Sequence, residues 1–249
     1  MGTFREFWYS YTPEYRFYLV VVALFIPLTI AGFIAQIKVN STFSRCAVRA
    51  ACGLTAAEVA RRILDRNGLY KTKIVRVAGH LTDNFNPVTN TLSLSQSVYG
   101  ANTVSAIGVA CHEAGHAIQH ARKYVFSSLR LKLVPVVNLA NRALFPLLLV
   151  GMLLGFASPY SAVGRVFIWI GIVVFGLSLL FSLVTLPTEF DASRRAQSEL
   201  KESFLTREEA ALSRKVLTAA AMTYVVSFLL SLVQFLRFFA LLLMARNRD

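Results

Sequence analysis

Four long apolar stretches without a charge set the pattern of the chain. Phe17–Ile37 runs for 21 residues between Arg16 and Lys38, and Ala143–Gly164 for 22 after Arg142. Val166–Thr188 gives 23 more, and Val216–Leu236 gives 21 before Arg237. A helix crossing about 30 Å of hydrocarbon needs roughly 20 apolar residues, so each stretch predicts a membrane span. Pro27, Pro135 and Pro146 do not argue against this, because neighbouring helices in a membrane bundle can satisfy the freed carbonyls. The first stretch is too long, and its flank too poor in small residues, for a removed signal peptide. It reads as a retained anchor. The chain therefore divides into an N-terminal segment 1–16, a first span 17–37, a polar region 38–132 and a two-span hairpin 133–188. A second polar segment 189–215, a last span 216–245 and a tail 246–249 follow.

The polar region carries its own order. Thr55-Ala-Ala-Glu58 is a capping box, and Ala56, Val59, Ala60, Ile63 and Leu64 form a stripe at helical spacing that Gly68 ends. Lys73–Ala78 predicts a short strand. Asn84–Asn90 predicts a turn, and the alternation in Thr91–Ser95 predicts a half-buried or edge strand. A helix is expected from about Thr103 to Arg122. The fold class is thus a mainly α membrane protein, with four transmembrane helices and a small α+β unit in water.

Composition narrows the function. Hydrophobic residues make up 55 % and charged residues 16 %, with a mean hydropathy of +0.55. That excludes a soluble enzyme, a disordered tail or a disulfide-stapled miniprotein as a reading of the whole chain. The 26 Lys and Arg outnumber the 13 Asp and Glu. Of these cations, 38–132 holds 13 and 189–215 holds six. Two spans separate the segments, so they share a side, and the positive-inside bias makes that side cytoplasmic with the amino terminus outside. Arg246 and Arg248, in a tail placed outside, run against the bias. The expected partner of the basic balance is the lipid bilayer and not nucleic acid. Cys46, Cys52 and Cys111 have no zinc-finger spacing and read as free thiols.

Chemistry concentrates in His112-Glu113-Ala114-Gly115-His116. Histidines at i and i+4 share one helix face, where both imidazoles can bind one ion, and the glutamate beside them suits the general base of a zinc peptidase. The apolar lead Val104–Cys111 predicts burial, where unpaired His and Glu would be costly. Gln119 and Arg122 exclude the metzincin pattern, and His120 lies two turns from His112, too far to share an ion. His80 and Glu189 are left as third-ligand candidates. Glu189 follows the hairpin and so returns to the same membrane face, and two histidines with a later glutamate are the thermolysin-like ligand set. Equally, Glu189 could be a charge at a helix amino terminus, favoured by the dipole.

Several blocks are similar to the YugP-like family of bacterial membrane zinc metallopeptidases. They are Ala57–Leu64, Leu81-Thr-Asp83, Leu94-Ser95, Ser97-Val-Tyr99, Val109–His120, Leu186–Ala196 and Thr223-Tyr-Val225. The resemblance implies a membrane-embedded zinc endopeptidase with a cytoplasmic, gluzincin-like unit acting on a peptide or protein substrate. It implies Zn2+ held by His112, His116 and Glu189, with Glu113 as general base. The more distant HtpX and CAAX-protease type has an aspartate four residues after the glutamate, steadying a metal-binding histidine. Ser193 stands there in this chain and could make one such hydrogen bond. Asp191, about 200° round a helix from Glu189, is a poor substitute.

Two other readings compete. An intramembrane protease of the site-2 type lacks its Asp-Gly partner motif here, and a zinc-keeping membrane scaffold would need a fourth protein ligand. Arg194, Arg195, His80 and Tyr99 are candidates for stabilising the oxyanion. The strand Thr91–Gln96 is expected to offer a free edge for an extended substrate, as strand-addition binders do.

Overall fold

A computed structural model describes residues 8–153 and 161–246, with no side-chain placement for 144, 145 and 147–153. In chain order it contains α1 (Pro13–Arg45), α2 (Ala56–Arg66), β1 (Lys73–Val77), β2 (Asn84–Asn86) and β3 (Thr91–Ser95). Then come α3 (Val104–Ala121), α4 (Val125–Leu153), α5 (Ala162–Ser203) and α6 (Arg207–Arg246). The residues group into two units. One comprises Met1–Gly32, Leu131–Leu183 and Val226–Asp249, and the other Phe33–Arg130 and Val184–Val225.

The first unit is built from the apolar lengths of α1, α4, α5 and α6. Among the described residues α1, α5 and α6 are each long and apolar enough to cross a membrane. Of the predicted span 143–164, residues 154–160 lie outside the described residues. Gly171 lets α5 meet α6 closely, since a Cβ there would run into the Phe238 ring. Small residues bring membrane helices together in this way. One helical stretch further on, the Ser182 and Ser231 hydroxyls bond at 3.0 Å. Outward-facing side chains such as Ile26 and Ile30 remain exposed, as they would in hydrocarbon.

The second unit has a packed core in which Ile63, Leu64, Leu92, Leu94, Ile107 and Leu200 are buried. Helix α2 starts at the expected capping box: Thr55 accepts from the Glu58 N–H, and the Glu58 carboxylate accepts from the Thr55 N–H. That hydrogen bonding holds the Glu58 carboxyl below its ordinary range. Gly68, at φ +75°, ends the turn after α2 in the left-handed region that glycine favours. Thr103 caps α3 by accepting from the Ala106 N–H, and α2 and α3 bury their apolar faces against each other.

The three-stranded sheet corrects the sequence reading twice. Asn84–Asn86, expected as turn, is the short strand β2, antiparallel to β3. Three residues are too short a run to show alternation. Strand β3 is also the middle strand: β1 pairs with it in parallel along one edge, and β2 along the other. Beyond β2, the Asp83 carboxylate accepts from the Ser95 N–H at 2.8 Å. The free edge expected for substrate is therefore occupied. Burial raises the Asp83 carboxyl above its ordinary range, although these Ser95 bonds oppose the shift.

Candidate metal centre

Helix α3 carries His112, Glu113 and His116, and their ligand atoms all lie within 4.8 Å of one another. The i, i+4 spacing sets the two imidazoles edge to face, with ring centroids 4.8 Å apart. Helix α5 brings Glu189, whose side chain is almost wholly buried. Its Oε2 lies 3.1 Å from His112 Nε2 and 3.5 Å from His116 Nε2. Its Oε1 accepts from the Arg130 guanidinium on α4. Burial alone would push the Glu189 carboxyl up. The hydrogen bonds and charges of the two histidines reverse that and hold it far below the usual range. Burial likewise disfavours charge on His116, but the Glu189 and Glu113 carboxylates overcome it and the imidazole is shifted up.

The donor set fits one ion. A tetrahedral metal about 2 Å from each donor would separate the donors by about 3.3 Å, close to the two distances found. A buried carboxylate oxygen facing two imidazole nitrogens is a donor set that zinc takes.

The outer nitrogens of the two rings are engaged as well. Ser193 Oγ lies 3.1 Å from His112 Nδ1, and Gln119 Oε1 lies 3.0 Å from His116 Nδ1. Gln119 is fully buried, and its amide donates to Thr188 O at 2.8 Å and Asp191 Oδ2 at 2.9 Å. Asp191 in turn accepts from Arg194 and from Arg195 Nε. Burial would raise the Asp191 carboxyl, but the Gln119, Arg195 and Arg194 hydrogen bonds keep it below its ordinary value. Asp191, dismissed as a substitute for the residue at 193, does not touch a histidine. It acts on His116 through Gln119.

Close approach of α3 and α5 makes these contacts possible. A Cβ on Gly115 would lie 2.7 Å from the Ala192 carbonyl oxygen, so only glycine fits between the ligand histidines. Glu189 lies deep within the 42-residue helix α5, which continues through Pro187. The alternative of a charge at a helix amino terminus is thereby removed.

The remaining candidates lie elsewhere. His80 meets Phe43 edge-on at 5.6 Å, and His120 sits beside Phe85 at 6.0 Å. Arg194 and Arg195 hold Asp191, and Tyr99 packs against the core. Arg130, Gln119 and Tyr224 were missed. The Tyr224 hydroxyl, on α6, interacts with Glu189. Gln119 and Tyr224 both fall in blocks of the family resemblance, which was the signal available. Arg130 falls in none. The three cysteines are free.

No solved structure matches the chain. It is similar to a Bacillus subtilis (strain 168) protein described as "Putative membrane protease YugP". The identity is 45 % over 232 residues, covering 91 % of this chain and all of that protein. The family model described as "Putative neutral zinc metallopeptidase" matches residues 21–243. With the histidine–glutamate cluster of α3 inside that match, the chain belongs to this family of zinc metallopeptidases.

Proposed function

We propose that the chain is a membrane-embedded, zinc-dependent endopeptidase in which His112, His116 and Glu189 hold the ion and Glu113 is the general base. The observation that carries the proposal is the approach of one Glu189 oxygen to both inner imidazole nitrogens, at 3.1 and 3.5 Å. Bound zinc would polarise a peptide carbonyl and lower the pKa of a water to about 7. Glu113 takes the proton from the attacking water and delivers it to the leaving amine nitrogen. Removing a base of this kind typically costs about 10²–10⁴-fold in rate. Arg130 neutralises Glu189 and fixes its second oxygen, so that Oε2 stays turned to the histidines. Ser193 and Gln119 accept from the Nδ1–H groups and leave each Nε2 lone pair directed inward.

The expected substrates are membrane-associated or misfolded proteins, in keeping with the membrane protease description of the Bacillus relative. Four spans, with 38–132 and 189–215 in the cytoplasm, complete the proposal. The 19 basic residues in those two segments support this orientation. The test is cleavage of casein by detergent-purified protein. Cleavage should stop with 1,10-phenanthroline and return with added zinc. Cleavage that persists in metal-stripped protein would contradict the proposal.

A further inference from the structure

A cavity of about 670 Å³ lies between the polar ends of two apolar helices and has no role in the zinc chemistry. Lys38, Thr42 and Arg45 line it from α1, spaced i, i+4 and i+7 along one helix face. Arg214, Lys215 and Thr218 line it from α6, with Ala219 and Met222 beyond them. Four cations thus converge on one concavity whose lining contains no carboxylate. Among the described residues none of the four makes an ion pair with Asp or Glu. Like charges so arranged repel one another unless an anion sits between them.

The level of the cavity along the chain identifies that anion. Lys38 is the first charge after the apolar stretch ending at Ile37, and Lys215 is the last before the stretch starting at Val216. Both helices therefore change from apolar to basic where a bilayer changes from hydrocarbon to headgroup. The hydroxyls of Thr42 and Thr218 add donors at that level. Met222, 44 % exposed, provides an apolar surface one to two turns into the span. Arg214 and Thr218 also line a neighbouring cavity of about 550 Å³, where Lys201 adds a further cation. Basic pockets between membrane helices on the cytoplasmic side suit anionic lipid headgroups.

We propose that Lys38, Arg45, Arg214 and Lys215 form a binding site for the phosphate of an anionic phospholipid, with an acyl chain along Met222. Solitary cations at span ends reach diffusely toward headgroups. Here two helix faces enclose a pocket, so the site should retain one lipid against dilution. The inference rests on α1 and α6 being membrane spans.

The test uses the full chain, delipidated in a non-ionic detergent and titrated with dioleoylphosphatidylglycerol or dioleoylphosphatidylcholine under native mass spectrometry. The parent should bind phosphatidylglycerol at least tenfold more tightly than phosphatidylcholine. A K38Q/R214Q variant should lose that preference to within twofold. A K71Q/R76Q variant, altered by the same net charge on exposed residues of the β1 region, should keep it. Equal zinc content in the three proteins shows that each is folded. Equal losses in both variants would overturn the site in favour of diffuse charge, as would a parent indifferent to headgroup. Displacement of the lipid by millimolar inorganic phosphate would overturn it in favour of a soluble anion. Binding of polyglutamate without retention of lipid would make the groove one for acidic polypeptide. Protein that stays monodisperse without detergent would defeat the span reading itself, whereas lipid indifference in detergent-dependent protein defeats only the site.

Discussion

Gln119 decides which nitrogen of His116 faces the centre. Both hydrogens of its amide are committed, to the Thr188 carbonyl and the Asp191 carboxylate, so its oxygen must be the atom that meets His116. With zinc bound, His116 would then keep its proton on Nδ1 and offer Nε2 to the ion. Gln119→Leu should weaken zinc binding by about 10–100-fold, the usual cost of removing a partner behind a metal ligand. Competition against a fluorescent zinc chelator would measure it, and unchanged affinity would deny Gln119 this part. Gly115 works by absence of a side chain. Gly115→Ala should cost about 1–3 kcal/mol through overpacking, read as a lower Tm in detergent, and should weaken zinc binding as α3 is pushed from Glu189. The three residues of the histidine motif were legible because one helical turn brings them together whatever the rest of the fold does. Gln119, Arg130 and Tyr224 were not, since their use depends on how α4, α5 and α6 are rotated against α3.

At the scale of elements, the short-range signals were the readable ones. The Thr55 capping box, the stripe of α2 and the alternation of β3 all appear where sequence placed them. Thr55→Ala should destabilise the second unit by about 0.5–2 kcal/mol while leaving cleavage per folded molecule unchanged. The pairing partners of β3 were not readable, because a strand does not state which of its edges is free. Nor was the continuity of α5 through Pro187, which carries Glu189 and Asp191 on one rigid rod. Asp191 ties that rod to α3, and its folded pKa lies below the unfolded value. Its contribution to stability is therefore complete above about pH 4, the unfolded range, and is lost as pH falls toward the folded value. Asp191→Asn should be less stable than the parent at neutral pH. It should also lose less on acidification from about pH 5 to pH 3, measured as Tm across that series.

For the whole molecule, the apolar stretches of α1, α5 and α6 were legible because hydrocarbon demands length and uniformity and little else. The proposed orientation rests on the distribution of Lys and Arg, and it predicts an exterior carboxyl terminus. Alkaline phosphatase fused after Asp249 should be active and a cytoplasm-dependent fluorescent protein dark; the reverse result would invert the topology. The central claim concerns Glu113, which lies beside the two histidines and is assigned the proton transfer, not the metal. The most direct measurement is casein cleavage by Glu113→Gln beside the parent, with zinc content determined on the same samples. The account predicts that the variant keeps its zinc and loses at least about a hundredfold in rate. A variant that holds zinc and cuts at the parent's rate would contradict it.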